Sequence, residues 1–306
     1  MATENSGWVR EREMGLKLTI KTFQMAGETH QLEEIIQKAA AAESGETILF
    51  PEYGAYTPEG SRTARMELSR LAAQQGVSII TSLNMPGDDL PHAGSKVNYN
   101  TLFVFSRTGR IYTPQAKITP QSFEMRHEDA SSPKMNVAPY SHLNRVTFRQ
   151  EGQYQTAYFL ICSDLYVLQS FNAESLRANA LICPANFGNG AEGSAGKVIE
   201  YWVKTGVFDQ GFLCNTWQKV KQGQTPLSLA VEKTFEEKGN EKLPFNKERM
   251  RKILDQSSVV YPDEEYRNFQ DMLKLTRNGT FTVPRSRSLE CGLNVQLGVY
   301  EKTIEL

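Results

Sequence analysis

Three segments of this sequence each place a reactive side chain directly after an apolar run. Leu49-Phe50-Pro51-Glu52-Tyr53-Gly54 supplies a carboxylate, and Arg110-Ile111-Tyr112-Thr113-Pro114-Gln115-Ala116-Lys117 supplies an ammonium group. Phe159-Leu160-Ile161-Cys162-Ser163-Asp164 supplies a thiol. A thiol with an ordinary pKa near ~8.5 attacks poorly at neutral pH unless a base or a positive neighbour assists it. Glu52, if desolvated, has its pKa raised and can take the thiol proton. Lys117 can stabilise a thiolate and then the oxyanion of a tetrahedral intermediate, together with the backbone N–H of Ser163. Covalent capture by Cys162 divides a difficult hydrolysis into two easier steps. Taken singly, each residue has a plainer reading: a cysteine closing a buried strand is normally a core residue, and a lysine after a hairpin is normally solvated. The case rests on the combination.

Such a set needs rigid elements ending at one place. The sequence predicts strands over residues 17–23, 47–50, 77–81, 99–105, 110–112, 154–161, 180–184 and 211–215. Helices are predicted over 31–42, from a Ser61 cap to 75, over 173–178 and over 197–207. Arg107-Thr108-Gly109 reads as a hairpin turn. Alternation of buried strands with helices indicates a layered α/β fold. Residues 219–247 are polar and read as an exposed excursion, followed by amphipathic helices near 247–256 and 264–277. Leu293, Val295, Leu297 and Val299 alternate as a half-buried strand does. No linker interrupts the pattern, so one domain over 1–306 is expected.

The bulk properties narrow the function. Lys and Arg number 34 against 35 Asp and Glu, a formal net charge of −1, which disfavours a dedicated nucleic-acid binder. No segment resembles a secretory signal or is long and apolar enough for a bilayer, so no membrane partner and a cytoplasmic location are expected. The four cysteines, Cys162, Cys183, Cys214 and Cys291, form no CxxC pair, so neither a zinc site nor a disulfide framework is expected. Free thiols suit a reducing compartment. No metal or cofactor is called for. Asn278-Gly279-Thr280 matches a glycosylation sequon that reads as chance.

The motifs together resemble the nitrilase superfamily of carbon–nitrogen hydrolases. That family carries an apolar-Pro-Glu motif, matched by Phe50-Pro51-Glu52, and a Tyr-Asn-Ser/Thr hairpin leading to a Lys, matched by Tyr99-Asn100-Thr101, Gly109 and Lys117. Its nucleophilic Cys precedes an acidic motif, matched by Cys162-Ser163-Asp164-Leu165. Pro184-Ala185-Asn186-Phe187 and Leu213-Cys214-Asn215 look like two later family strands, and Gln121-Ser122-Phe123-Glu124 resembles the segment holding a second Glu. The resemblance spans about residues 17–216. It implies a four-layer α-β-β-α sandwich, a homodimer or higher homo-oligomer, and a small-molecule amide as substrate. It makes Glu52 the general base, Lys117 the oxyanion stabiliser, Cys162 the nucleophile, and Glu124 the group orienting Lys117 and the substrate amine. Ser163, Tyr53, Tyr166 and Phe187 are the expected substrate-binding residues.

Departures from the family pattern sharpen the expectation. Tyr166 stands where many amidases carry an Arg that holds a substrate carboxylate, and the Trp-Glu pair that follows the cysteine of nitrilases is absent. Gly206-Val207-Phe208-Asp209-Gln210 keeps only an acid and an amide of the family's Arg-Ala-x-Glu-Asn segment, and residues 218–306 match nothing in it. An amidase using a thioester intermediate is therefore expected. The alternatives are a nitrile hydrolase or acyltransferase using the same residues, a non-catalytic binding or assembly scaffold, and a Cys–His dyad drawn from His30, His92, His127 or His142.

Overall fold

A computed structural model describes residues 15–87, 97–121, 124, 137–187, 191–216, 257–260 and 295–306. The first strands are β1 (Thr19–Ile20), β2 (Thr47–Leu49), β3 (Ser78–Pro86), β4 (Asn98–Phe105) and β5 (Ile111–Ala116). They form one sheet in chain order, parallel from β1 to β3 and antiparallel from β3 to β5. The second sheet contains β6 (His142–Gln150), β7 (Gln153–Phe159), β8 (Ala178–Ala185), β9 (Phe208–Asn215), β10 (Ser257–Val260) and β11 (Gln296–Glu305). Its order is β10-β9-β8-β7-β6-β11.

Strand alternation explains the layering. Leu49, Ile80, Leu102 and Val104 of the first sheet pack with Val146, Phe148, Phe159 and Phe212 of the second. Their neighbours Ile48, Ile79, Phe103 and Phe105 point the other way, onto Ile35 and Ala39 of α1 (Glu28–Ala40) and Ala64, Leu68 and Leu71 of α2 (Pro58–Gln75). On the far side of the second sheet, α3 (Ala191–Lys204) lays Ile199 and Val203 against Gly211 of β9. The order is α-β-β-α, as the resemblance implied.

Several local expectations are corrected. Thr57, rather than Ser61, caps α2: its Oγ1 accepts from the Gly60 N–H, and Pro58 occupies the first turn. Glu28 reinforces that end by accepting the N–H of Tyr56 and the hydroxyl of Thr57. Residues 173–178 make only a 3-10 turn, Ala173–Leu176, because Ala178 already pairs with Phe208 in the sheet. The third helix starts at Ala191, six residues early, and stops at Lys204 before Gly206, which adopts φ 74°. β6 and β10 carry no clear signal in the sequence and are not among the expected strands. β11 exists, but Leu297 and Val299 are exposed, while Tyr300 packs partly against the core and Ile304 and, just after the strand, Leu306 are buried. The expected excursion at 219–247 and the two later helices lie outside the described residues.

Gly109 closes the β4–β5 hairpin at φ 77°, with the Ser106 N–H bonded to the Arg110 carbonyl. That hairpin sets where Lys117 emerges.

The contact between α3 and β9 leaves no room at Gly211. A Cβ there would sit 2.3 Å from Ile199 Cγ2 and 3.0 Å from Val203 Cγ2. Gly211→Ala is expected to destabilise the protein by roughly 1–3 kcal/mol through overpacking. Chemical denaturation should show part of that loss restored when Ile199→Ala is added, which shortens the clashing side chain.

Candidate active site

Glu52, Lys117, Glu124 and Cys162 meet at one end of the space between the two sheets. Glu52 follows β2 and Pro51, and its backbone N–H reaches across to the Ala185 carbonyl at the end of β8, 3.3 Å away. Lys117 directly follows β5, with its N–H on the Asn100 carbonyl at 2.7 Å and its own carbonyl accepting from the Tyr140 N–H. Glu124 is held by backbone bonds to Gln121 and Val137. The Lys117 Nζ donates to Glu52 Oε1 at 2.6 Å and to the Glu124 carboxylate at 2.9 Å. All three side chains are at most 1 % exposed.

Burial shapes the acid–base properties. Desolvation raises the Glu52 carboxyl above its usual range, with Lys117 pulling it down and Glu124 adding to the rise. Burial would lower Lys117, but Glu124 and Glu52 outweigh it and hold the ammonium well above its usual range. The Cys162 thiol is pushed well up by burial and by Glu52, against the opposing pull of Lys117 and the Asn186 backbone. The expected help from Lys117 toward a thiolate is therefore present but outweighed, chiefly by burial and then by Glu52.

Cys162 does not simply end a strand. It opens a 3-10 helix, Cys162–Ser170, at φ 53°, a left-handed conformation that non-glycine residues adopt at a cost of roughly 1–3 kcal/mol. The following residues clamp this bend to the Lys117 segment. Asp164 accepts the N–H of Ile118 and of Thr119 and the Thr119 hydroxyl, at 2.7–3.0 Å for its Oδ1. The Ser163 hydroxyl donates to the Thr119 carbonyl at 2.7 Å. Cys162 and Lys117 are each one residue away from that clamp.

The other expected residues divide. Ser163 turns its side chain to Thr119, leaving its backbone as what it can offer a ligand. Tyr53, also left-handed at φ 61°, is 1 % exposed and donates its hydroxyl to Glu124. It therefore faces the carboxylate cluster. Tyr166 and Phe187 pack edge to face, ring centroids 6.3 Å apart, and the Phe187 backbone is gripped by Asn215. Asp164 and Asn100 join the site without having been expected there: the sequence signal for Asp164 is an acidic residue two places after the cysteine, and Asn100 stands out only within Tyr99-Asn100-Thr101. His30 pairs with Glu34 on α1 and His142 bonds to Ser141, while His92 and His127 lie outside the described residues. Among the described residues no group of three His, Cys, Asp or Glu is placed to hold a metal, and no helix is long and apolar enough to cross a membrane.

No family model and no curated protein matches this chain. Solved structures do match it. Among those matched are structures of an amidase of the nitrilase superfamily from Nesterenkonia. One mutant of that amidase shares 17% identity at a TM-score of 0.47, over 65% of this chain and 75% of the other. A mutant in complex with butyramide shares 18% identity at a TM-score of 0.48, again over 65% and 75%. A third, with the acetamide moiety of fluoroacetamide added covalently at its active-site cysteine, shares 17% at 0.49 over the same shares.

Burial pushes the Asp164 carboxyl up to about 6, against the opposing effects of Lys117 and the Thr119 and Ile118 donors. A raised folded-state pKa means the native protein holds the proton more tightly than the unfolded chain between about pH 4 and 6. That contribution to stability is complete below about pH 4 and is lost as pH rises through about 6, up to about 3 kcal/mol. Asp164→Asn should remove this dependence. Urea titrations from pH 4 to 7 are expected to show the wild type losing stability relative to the variant as pH rises; a constant difference would refute the assignment.

Proposed function

We propose that this protein hydrolyses a non-peptide carbon–nitrogen bond, with an amide as substrate and a cysteine thioester as intermediate. One observation carries the reading: a buried ammonium, Lys117, is held by two buried carboxylates beside the thiol of Cys162. A structural core has no use for four such groups in one place, since each buried charge costs several kcal/mol in desolvation.

In this reading Glu52 takes the Cys162 proton as the sulfur attacks the amide carbonyl. Lys117 and the backbone N–H of Ser163 face the developing oxyanion. Glu52 then returns the proton to the departing nitrogen, and the C–N bond breaks. Water attacks the thioester, Glu52 accepts its proton, and the C–S bond breaks to give a carboxylic acid and the free thiol. Glu124 keeps Lys117 in place and sits within reach of the substrate nitrogen.

The amide preference over a nitrile rests on Cys162-Ser163-Asp164-Leu165-Tyr166, which lacks the Trp-Glu pair. A neutral acyl group is favoured because the one ammonium among the described site residues is already bracketed by carboxylates. Tyr166 adds a phenol where a guanidinium would pair with an anion. Arg285 and Arg287, the candidates for a compensating charge, lie outside the described residues. As in the sequence-based expectation, the protein acts as a homo-oligomer on a small molecule.

Cys162→Ala is expected to abolish ammonia release from amides while leaving the fold intact by circular dichroism. Glu52→Gln and Lys117→Ala should each lower kcat at least about 100-fold, the scale of losing a general base or an oxyanion contact. Lys117→Arg should fail as well, because a planar fork cannot fit between the two carboxylates. Wild-type turnover in Cys162→Ala refutes the proposal outright.

Substrate class is tested separately by comparing kcat/KM for butyramide, its ω-carboxylated counterpart and the matching nitrile. The neutral amide should be preferred. A preference for the carboxylated amide overturns the charge argument, and a preference for the nitrile overturns the amide assignment.

A further inference from the structure

Asn100 belongs to β4, on the same face as Leu102 and Val104, which line the core between the sheets. Its side chain is fully buried at the end of that core, where the site lies. The Nδ2 donates to Glu52 Oε1 at 2.7 Å, and the Asn100 backbone carbonyl accepts from the Lys117 N–H at 2.7 Å. Contact with a carboxylate fixes the amide orientation, because a flipped group would set two acceptors against each other. The other end of the amide, Oδ1, is buried and accepts a hydrogen bond from none of the described residues.

A buried carbonyl left without a donor costs about 1–3 kcal/mol, and native structures seldom retain one without a reason. The reaction proposed above supplies a donor at this position. Acylation needs no water, but deacylation brings one to Glu52, and a water molecule has two hydrogens to place. Glu52 accepts the one that is transferred. The second needs an acceptor adjoining that carboxylate, and Oδ1 is the far end of the group already bonded to it.

We infer that Asn100 Oδ1 is the second acceptor for the hydrolytic water, so that Asn100 selects water as the nucleophile of the second half-reaction. The inference rests on the proposed amidase reading. The water oxygen bonds to the thioester carbon, one hydrogen passes to Glu52, and the other stays on oxygen while bonded to Oδ1. The C–S electron pair returns to Cys162, which takes back the proton from Glu52. Water and product acid balance, and no other reactant is required. Nδ2 serves both half-reactions by holding Glu52; Oδ1 serves only the second. That separation makes the role measurable.

The experiment offers butyramide with N-methylhydroxylamine as a competing nucleophile, whose nitrogen has one hydrogen to lose and no second to place, and measures the ratio of N-methylbutyrohydroxamate to butyrate. Asn100→Leu, which lacks the acceptor, should raise this ratio at least about 10-fold, the equivalent of one lost hydrogen bond to water. Asn100→Asp keeps an acceptor and should leave the ratio near the wild-type value, while total turnover falls because a second carboxylate now adjoins Glu52. An unchanged ratio in Asn100→Leu, with both products reduced alike, overturns the inference and leaves Asn100 as a support for Glu52 alone. A raised ratio in Asn100→Asp overturns it too, and that arm decides the matter if the leucine variant does not fold. Wild-type protein that yields neither ammonia nor hydroxamate refutes the amidase reading itself, which is a different signature.

Discussion

The pairing of buried Lys117 with buried Glu52 and Glu124 is the constraint around which the rest is arranged. An ammonium removed from water is tolerated only if opposite charge and hydrogen bonds replace its hydration. Two carboxylates meet that need, but each must itself be brought inside and satisfied. Glu52 receives Nδ2 of Asn100 as well as Nζ of Lys117. Glu124 receives Tyr53, Gln121 and Lys117. Burying such a cluster seldom stabilises a protein relative to apolar packing, so its presence speaks for chemistry over stability.

The cluster also acts on the thiol. Lys117 draws Cys162 toward the thiolate, but burial and Glu52 outweigh that pull and raise the thiol well above its usual range. In the proposed reaction the proton passes to Glu52 as the sulfur bonds to carbon.

Position is imposed by backbone as much as by charge. Two non-glycine residues, Tyr53 and Cys162, are held left-handed beside the cluster, and each is over-determined by its surroundings. The Tyr53 N–H is on the Ser82 hydroxyl and its carbonyl is on Gln31. Cys162 is fixed by the Ser163 and Asp164 bonds to Ile118 and Thr119. These bonds join the two sheets, since Lys117 extends from the first and Cys162 follows β7 of the second. A shift between the sheets would therefore move ammonium and sulfur apart. The face-to-face packing of Leu102 and Val104 on the second sheet is in that sense part of the site.

The sequence by itself determined the strand-ending positions of Glu52, Lys117 and Cys162, the hairpin at Gly109 and the layered α/β class, because these depend on local periodicity and turn chemistry. Tertiary structure decided the rest. β6 lies between β7, which follows it directly, and β11, far along the chain, and Asn144-Arg145 interrupt the alternation of its buried Leu143, Val146 and Phe148. Leu297 and Val299 alternate as a buried strand does yet lie exposed, since burial depends on what covers an edge. The roles of Asp164, Tyr53 and Asn100 arise from hydrogen bonds spanning 46, 71 and 48 residues of chain, to Ile118, Glu124 and Glu52. No local pattern encodes a partner that only folding brings near.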